Sequence, residues 1–334
     1  MAMVKFIKVL AVIFLLGVLT LLASLYYFEQ GVHKVINIAQ PTIFDVKSGQ
    51  SAKGLLNQLK SNRVLEQNIG LKIRLKLQPE LAKIKAGTYE LQPNMTALEM
   101  LELFSSGKEI QFTIGLVEGL RWRDWLQTLK GHPNLSHTES LQEEVNKYLS
   151  SLPHDTLEGL LLPDTYAFTK NTPAIDVVKR AYQQMQSYLE QAWLNRALDL
   201  PYETPYEALI MASIVEKETG LASERPRIAG VFVNRLNLNM RLQTDPTVIY
   251  GMGEGFDGDI RRKDLKAPTP YNTYVIKGLP PTPIAMPSKL AIDAALKPLE
   301  TEDLYFVSKG DGSHYFSETL QEHNSAVRKY QLKK

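Results

Sequence analysis

The hydrophobic pattern changes character several times along the chain, and each change predicts a different kind of element. Val9 to Phe28 (VLAVIFLLGVLTLLASLYYF) is an uncharged run of twenty residues. As a helix it spans about 30 Å, the thickness of a hydrocarbon core. Lys5 and Lys8 precede it and Glu29 follows, so the positive-inside rule places the short N-terminus in the cytoplasm. Tyr26, Tyr27 and Phe28 suit the outer interface. A cleaved signal peptide is the competing reading, but its apolar region is usually about 7–15 residues long, and Ala23-Ser24-Leu25 is a poor cleavage site. The pattern favours a retained single-pass anchor. No second such run follows, so residues from about 30 onward are expected on the far side.

Short alternating stretches then lead through turns into amphipathic runs three times. Phe44-Asp45-Val46 precedes a helical run Ala52 to Leu59, Tyr89-Glu90-Leu91 precedes Ala97 to Phe104, and Phe112-Thr113-Ile114 precedes Arg121 to Leu129. Ser51 and Thr96 are predicted N-caps. The unequal spacing argues against a solenoid. A small α+β module over 43–111 is expected, with 29–42 as a linker. Its strand-turn-helix pattern resembles LysM-like carbohydrate-binding modules, which implies affinity for N-acetylglucosamine-containing glycan; a spacer off the membrane is the alternative. Trp122 and Trp125 fit core packing better than sugar stacking. The polar stretch 130–156 reads as a loop and a solvated helix, Ser140 to Ser150, without evident function.

The strongest helical signal lies at Thr204-Pro205-Tyr206-Glu207, where Thr204 caps, Pro205 suits the first turn and Glu207 closes a capping box. The following residues are apolar on most sides, which predicts a buried helix, and Gly220 is placed to end it in the left-handed conformation. At 100° per residue Glu218 shares a face with Met211 and Ile214, away from Lys217. A carboxyl at the end of a buried stripe is pushed toward its protonated form. Near a helix end, pairing with Lys217 or Arg225 is the plainer alternative, and Glu216, beside Ala212 and Leu209, is expected to matter for positioning rather than chemistry.

Composition narrows the function classes. The net charge of +2 and the absence of long Lys/Arg runs give no ground for nucleic-acid binding. With no cysteine there is no disulfide and no thiolate metal site, and the six histidines show no zinc spacing, so neither metal nor cofactor is expected.

From Leu157 the motifs become specific. They run Leu157-Glu158-Gly159 to Pro163-Asp164-Thr165-Tyr166, then Ser213-Ile214-Val215-Glu216-Lys217-Glu218, Val231 to Leu236 and Met240 to Tyr250. Tyr271-Asn272-Thr273-Tyr274, Gly278 to Ile284, Leu304-Tyr305-Phe306-Val307 and Glu322-His323-Asn324 complete the order. This set resembles the MltG (YceG-like) family of endolytic murein transglycosylases over essentially the whole chain. The resemblance implies an α+β fold with a catalytic domain over 112–334, a glycan-binding cleft, and Glu218 as the catalytic acid. It also implies peptidoglycan strands as substrate, peptidoglycan synthases (penicillin-binding proteins) as partners, and the bacterial inner membrane as location.

The chemistry fits one carboxyl. Glycosidic cleavage needs a proton donor to the leaving oxygen, and a hydrolase adds a second carboxylate. A lytic transglycosylase uses the sugar's own 6-hydroxyl, so one residue serves as acid and then base. Gln243, Thr244, Tyr250, Tyr271, Asn272, Thr273 and Tyr274 are candidates for binding sugar hydroxyls and N-acetyl groups, each with turn or packing chemistry as its alternative. Asp245 is either a turn former or a second carboxylate, which would make a muramidase. The prolines from Pro280 to Pro287 read as a rigid loop on the cleft rim. Glu322-His323-Asn324 reads as supporting structure. A non-catalytic glycan-binding scaffold remains a further possibility.

Overall fold

The computed structural model describes residues 2–136 and 140–332, and the chain divides into two compact units at Phe112/Thr113. The first unit begins with α1 (Ala2–Val32), whose stretch Lys5–Val32 is long and apolar enough to cross a membrane. The helix outruns the uncharged run at both ends. Segment 29–42 is not a free linker: Val32 and Ile36 are buried in the module's core, and Val35 bridges Thr96.

In the module, β1 (Thr42–Val46), α2 (Ala52–Ser61), α3 (Ile69–Leu77), β2 (Gly87–Leu91) and α4 (Ala97–Ser106) follow in order. β1 and β2 pair antiparallel, from Thr42 opposite Leu91 to Val46 opposite Gly87. The alternation of β1 turns Phe44 and Val46 inward onto Leu55, Leu56 and Leu59 of α2 and Met100, Leu101 and Phe104 of α4. Ser51 caps α2, and Thr96 with Glu99 forms a capping box on α4, as the sequence leads one to expect.

The second unit is mainly helical with short paired strands. β3 (Phe112–Leu116) opens it, followed by α5 (Trp122–Gly131), β4 (Leu135–Ser136), α6 (Leu141–Leu149), β5 (Asp164–Phe168) and β6 (Thr172–Pro173). Then come α7 (Ala174–Leu194), α8 (Pro205–Glu218), α9 (Arg225–Asn237), α10 (Asp245–Met252), α11 (Lys289–Leu296), β7 (Tyr305–Ser308), β8 (His314–Ser317) and α12 (Leu320–Tyr330). β3 pairs with β5, β4 with β6, and β7 with β8 as an antiparallel hairpin. Trp125 is fully buried and donates its indole N–H to the Val117 carbonyl at 2.9 Å, which makes it a core residue.

α8 is the core of this unit. Every residue from Ala208 to Val215 is buried, packed chiefly against α11 and α9. Ala291, Ala294 and Ala295 give α11 a small-residue face on that side. α9 approaches the loop before β7 closely: a Cβ on Gly230 would lie 2.4 Å from the Leu299 carbonyl oxygen. Asn234 Nδ2 then donates to the carbonyls of Thr301 and Asp303 at 2.6 and 3.0 Å, which delivers β7 to the end of α8.

The proline segment differs from expectation. Pro283 to Pro287 are buried and cross the inner side of α8, with Ile284 N–H donating to Ser213 Oγ and Met286 N–H to the Leu120 carbonyl. Proline rigidity serves packing here, not a cleft rim.

Candidate active site

Glu218 is the last helical residue of α8. Thr204 accepts the Glu207 N–H while Glu207 reaches back to the Thr204 backbone, and Pro205 occupies the first turn, so the start is fixed as its sequence predicts. The end is not. Thr219, with φ −146° and ψ 137°, leaves the helix extended, and its hydroxyl accepts the Leu221 N–H at 3.0 Å. Gly220 has no left-handed backbone and no capping role. Stopping at Glu218 leaves its side chain at a helix mouth while the preceding turns stay buried.

The three charged residues of this turn diverge. Lys217 reaches the Gly119 carbonyl at 3.0 Å. Glu216 is only 4% exposed; it pairs with Arg225 at 3.0 Å and accepts from Ser288 N–H at 2.9 Å and from the Ser288 hydroxyl. Glu218 alone opens into a cleft of about 450 Å³, whose walls include Arg235, Gln243, Thr244, Asp245, Tyr274, Tyr305, His314 and His323.

The Thr244 hydroxyl donates to Glu218 Oε1. Thr244 is held from behind: its N–H donates to Thr273 Oγ1 at 3.0 Å, and the neighbouring Gln243 N–H donates to the Thr273 carbonyl at 3.1 Å. Gln243 itself sits at φ +54°, an uncommon conformation for a side-chain-bearing residue that persists where the surroundings fix it. Arg235, buried on α9, supplies part of that restraint by donating to the carbonyls of Leu304, Arg241 and Leu242. Its guanidinium also lies 5.1 Å from the Tyr305 ring centroid. Across the cleft, the Tyr274 hydroxyl donates to Asp245 at 2.7 Å, and Glu224 fixes His314 through its N–H at 3.0 Å and its Nδ1 at 2.7 Å.

Burial pushes the Glu218 carboxyl up from 4.5 to about 7, and the nearby Asp245 charge adds to this. The Thr244 hydroxyl, His314 and Arg235 act in the opposite direction. The carbonyl end of α8 also disfavours negative charge there. Thr244 occupies one carboxyl oxygen, so a proton on the other is free to face the cleft.

Glu158 is a second buried acid raised to about 7 by desolvation, against the Trp122 N–H at 3.0 Å and the Tyr250 hydroxyl at 3.3 Å. Both carboxyls hold a proton in the folded state that the unfolded chain releases near the ordinary value. Their contribution to stability is therefore complete below about pH 4.5 and is lost as pH rises to about 7. For Glu158 the difference is up to about 3 kcal/mol. Denaturant titrations from pH 4.5 to 7.5 are expected to show this decline, and Glu158→Gln to flatten it; an unchanged slope in that variant would refute the attribution.

Of the residues singled out by sequence, Glu218, Gln243, Thr244, Asp245 and Tyr274 come together in the cleft. Asn272 and Thr273 do not line it. Asn272 is 1% exposed and bonds the carbonyls of Asp264 and Ala267, while Thr273 is fully buried behind Thr244. Both lie behind the cleft lining and hold its wall. Tyr250 and Tyr271 pack on each other at 4.8 Å; Tyr250 lies under Arg121 and Tyr271 bonds Thr282, outside the cleft. Arg235, Tyr305, His314 and His323 were not among the sequence candidates. Arg235 is signalled by a lone cation in the apolar run Val231 to Leu236, but the Glu224–His314 pair spans ninety residues and leaves no local trace. Within Glu322-His323-Asn324, Glu322 closes the capping box of α12, whereas His323 stacks on Tyr305 at 5.2 Å in the cleft wall. Burial, then Arg235, keeps His323 below its usual pKa and hence neutral. Among the described residues, no three His, Asp or Glu side chains gather as a metal site would require.

The family model for the YceG-like family matches residues 44–329. The chain belongs to the YceG-like family. It is 32% identical over 305 residues to a Bacillus subtilis protein named endolytic murein transglycosylase, covering 86% of this chain and 84% of that one. A Streptococcus pneumoniae serotype 2 protein of the same name is 28% identical over 286 residues, covering 74% of this chain and 51% of its own length. In structure the chain is similar to a Listeria monocytogenes protein described as yceG-like, with a TM-score of 0.54 and 28% identity, over 86% of this chain and all of that one. The match therefore runs from β1 of the module into α12, and takes in Glu218, Arg235, Gln243, Thr244, Asp245, Tyr274, His314 and His323 of the cleft.

Proposed function

We propose that this YceG-like chain is a membrane-anchored endolytic murein transglycosylase, with Glu218 as its acid and base. The observation that carries this reading is that Glu218, at the buried end of α8, opens into the cleft hydrogen-bonded to a neutral threonine hydroxyl and not to the other cleft carboxylate, Asp245.

Glu218 first donates its proton to the glycosidic oxygen between N-acetylmuramic acid and N-acetylglucosamine, and that C–O bond breaks. The oxocarbenium-like C1 of the muramic sugar is then attacked by that sugar's own C6 hydroxyl, and the Glu218 carboxylate takes up the hydroxyl proton. The product is a 1,6-anhydro end, no water is consumed, and Glu218 returns to its starting state. Intramolecular attack replaces a bound nucleophile with orientation. While Glu218 is ionised, the Thr244 hydroxyl, the Arg235 charge and the neighbouring His314 ring support it. Gln243, Asp245 and Tyr274 offer amide, carboxylate and phenol groups to sugar hydroxyls along the cleft.

Asp245 gives a muramidase reading its one specific observation, since a second carboxylate does line the cleft. It sits in the first turn of α10, bonded to Tyr274, where it also performs the turn and helix-start role. Asp245→Asn is expected to reduce strand cleavage less than about tenfold, because one carboxyl suffices for both proton transfers. A loss as deep as that of a Glu218 variant, measured on the same purified strands, would favour the hydrolase.

The length and apolarity of α1 support a single-pass anchor in the bacterial inner membrane with a cytoplasmic N-terminus; an enzyme held there would meet new strands as they emerge, with penicillin-binding synthases as its partners. In the first unit, a groove of about 490 Å³, where Gln92, Asn94, Glu99 and Lys108 stand beside Met95 and Leu103, supports a LysM-like, glycan-holding role for the module.

A further inference from the structure

α3 carries an apolar stripe that the module's core does not use. Ile69, Ile73 and Leu77 are 67%, 44% and 67% exposed, at four-residue spacing, so they share one face. The opposite face supplies Leu71 to the core, with Leu75 packed against it. Between these faces, one flank of α3 presents Lys72 and Lys76, and the helix contains no acidic residue.

The other flank meets the anchor helix. A Cβ on Gly70 would lie 3.3 Å from the Phe28 carbonyl oxygen and 3.4 Å from Val32 Cγ2. One turn further on, Arg74 grips both oxygens of Glu29 at 2.8 and 2.9 Å and lies 5.5 Å from the centroid of the Phe28 ring. The stripe is thereby fixed beside the last turns of α1, at the level where Tyr26, Tyr27 and Phe28 end the uncharged run.

We propose that α3 lies on the lipid surface, with Ile69, Ile73 and Leu77 in the headgroup–acyl boundary and Lys72 and Lys76 against the phosphates of anionic lipid. Three features commit the stripe to lipid: continuity with the membrane-spanning helix, an apolar face flanked by lysines, and a helix that itself carries no acid, the nearby Glu29 being paired with Arg74. Contact with lipid would hold the first unit against the bilayer instead of letting it swing on a tether. The proposal rests on the reading of α1 as a membrane span.

The chain has no cysteine, so single labelling sites can be introduced without removing any residue that reacts. The full-length protein carrying a spin label at Ile73→Cys or Leu77→Cys, reconstituted in phosphatidylethanolamine/phosphatidylglycerol vesicles, reports collisions with lipid-soluble oxygen and a water-soluble nickel chelate. Lys53→Cys on the exposed face of α2 and Leu16→Cys within α1 serve as aqueous and lipid references. The expected oxygen-to-nickel ratio at 73 and 77 is several-fold above that at 53, and it falls when phosphatidylglycerol is omitted. Ratios at 73 and 77 equal to that at 53, with 16 still lipid-like, overturn the proposal while leaving the anchor intact. A water-like ratio at 16 overturns the anchor reading itself, and this proposal with it. Spin–spin broadening at 73 that survives dilution with lipid would assign the stripe to a second copy of the chain and overturn the lipid contact.

Discussion

Glu218→Gln is expected to reduce glycan cleavage by about 10²–10⁴-fold, the range that positioned acid–base groups contribute. The amide oxygen can still accept the Thr244 hydroxyl, so the cleft wall should stay in place. What disappears is the proton given to the leaving oxygen and the carboxylate that takes one back. Because the wild-type carboxyl is disfavoured in its charged form, the variant should also be more stable than wild type above about pH 7. Activity and denaturation assays on one preparation check both halves. Near-normal turnover, or a variant that fails to fold, would contradict the assignment. In the wild-type enzyme, activity should fall as pH rises through about 7, where the proton donor is lost.

Glu216→Ala should do the opposite. Glu216 joins three helices, since Arg225 opens α9 and Ser288 caps α11. Removing one partner of a buried ion pair costs about 3–5 kcal/mol, because the remaining charge is left without a counter-ion. For a unit of this size that lowers Tm by roughly 10 °C. Turnover per folded molecule should be largely kept, since Glu216 faces away from the cleft. Unchanged stability, or full loss of turnover in well-folded protein, would show that the two glutamates have been given each other's roles.

Local signals in the sequence account for much of this architecture. The caps of α2, α4 and α8, the burial of α8 and the strand-turn-helix order each depend on residues within a few positions of one another. Gly220 and the prolines at 280–287 were misleading for a common reason: each has a well-known local habit, and tertiary contacts used it differently. Thr219 ends α8 before the glycine, and the proline segment packs against Ser213 and Leu120. The cleft itself was half legible. Gln243, Thr244 and Asp245 follow one another, so they travel as a motif. His314 and His323 enter from the far end of the chain, positioned by the β7–β8 hairpin and α12, and no periodicity links them to Glu218. Glu218 stood out from periodicity as a buried acid only; its assignment to glycan cleavage came from the family resemblance, and the Thr244 bond gives that role a physical setting.

The chemistry is tested most directly by digesting purified glycan strands in heavy-oxygen water and weighing the new ends. Intramolecular attack by the C6 hydroxyl predicts 1,6-anhydro ends that lack one water and carry no heavy oxygen, and that vanish with Glu218→Gln. Reducing ends labelled from the solvent would contradict the account and make the enzyme a muramidase.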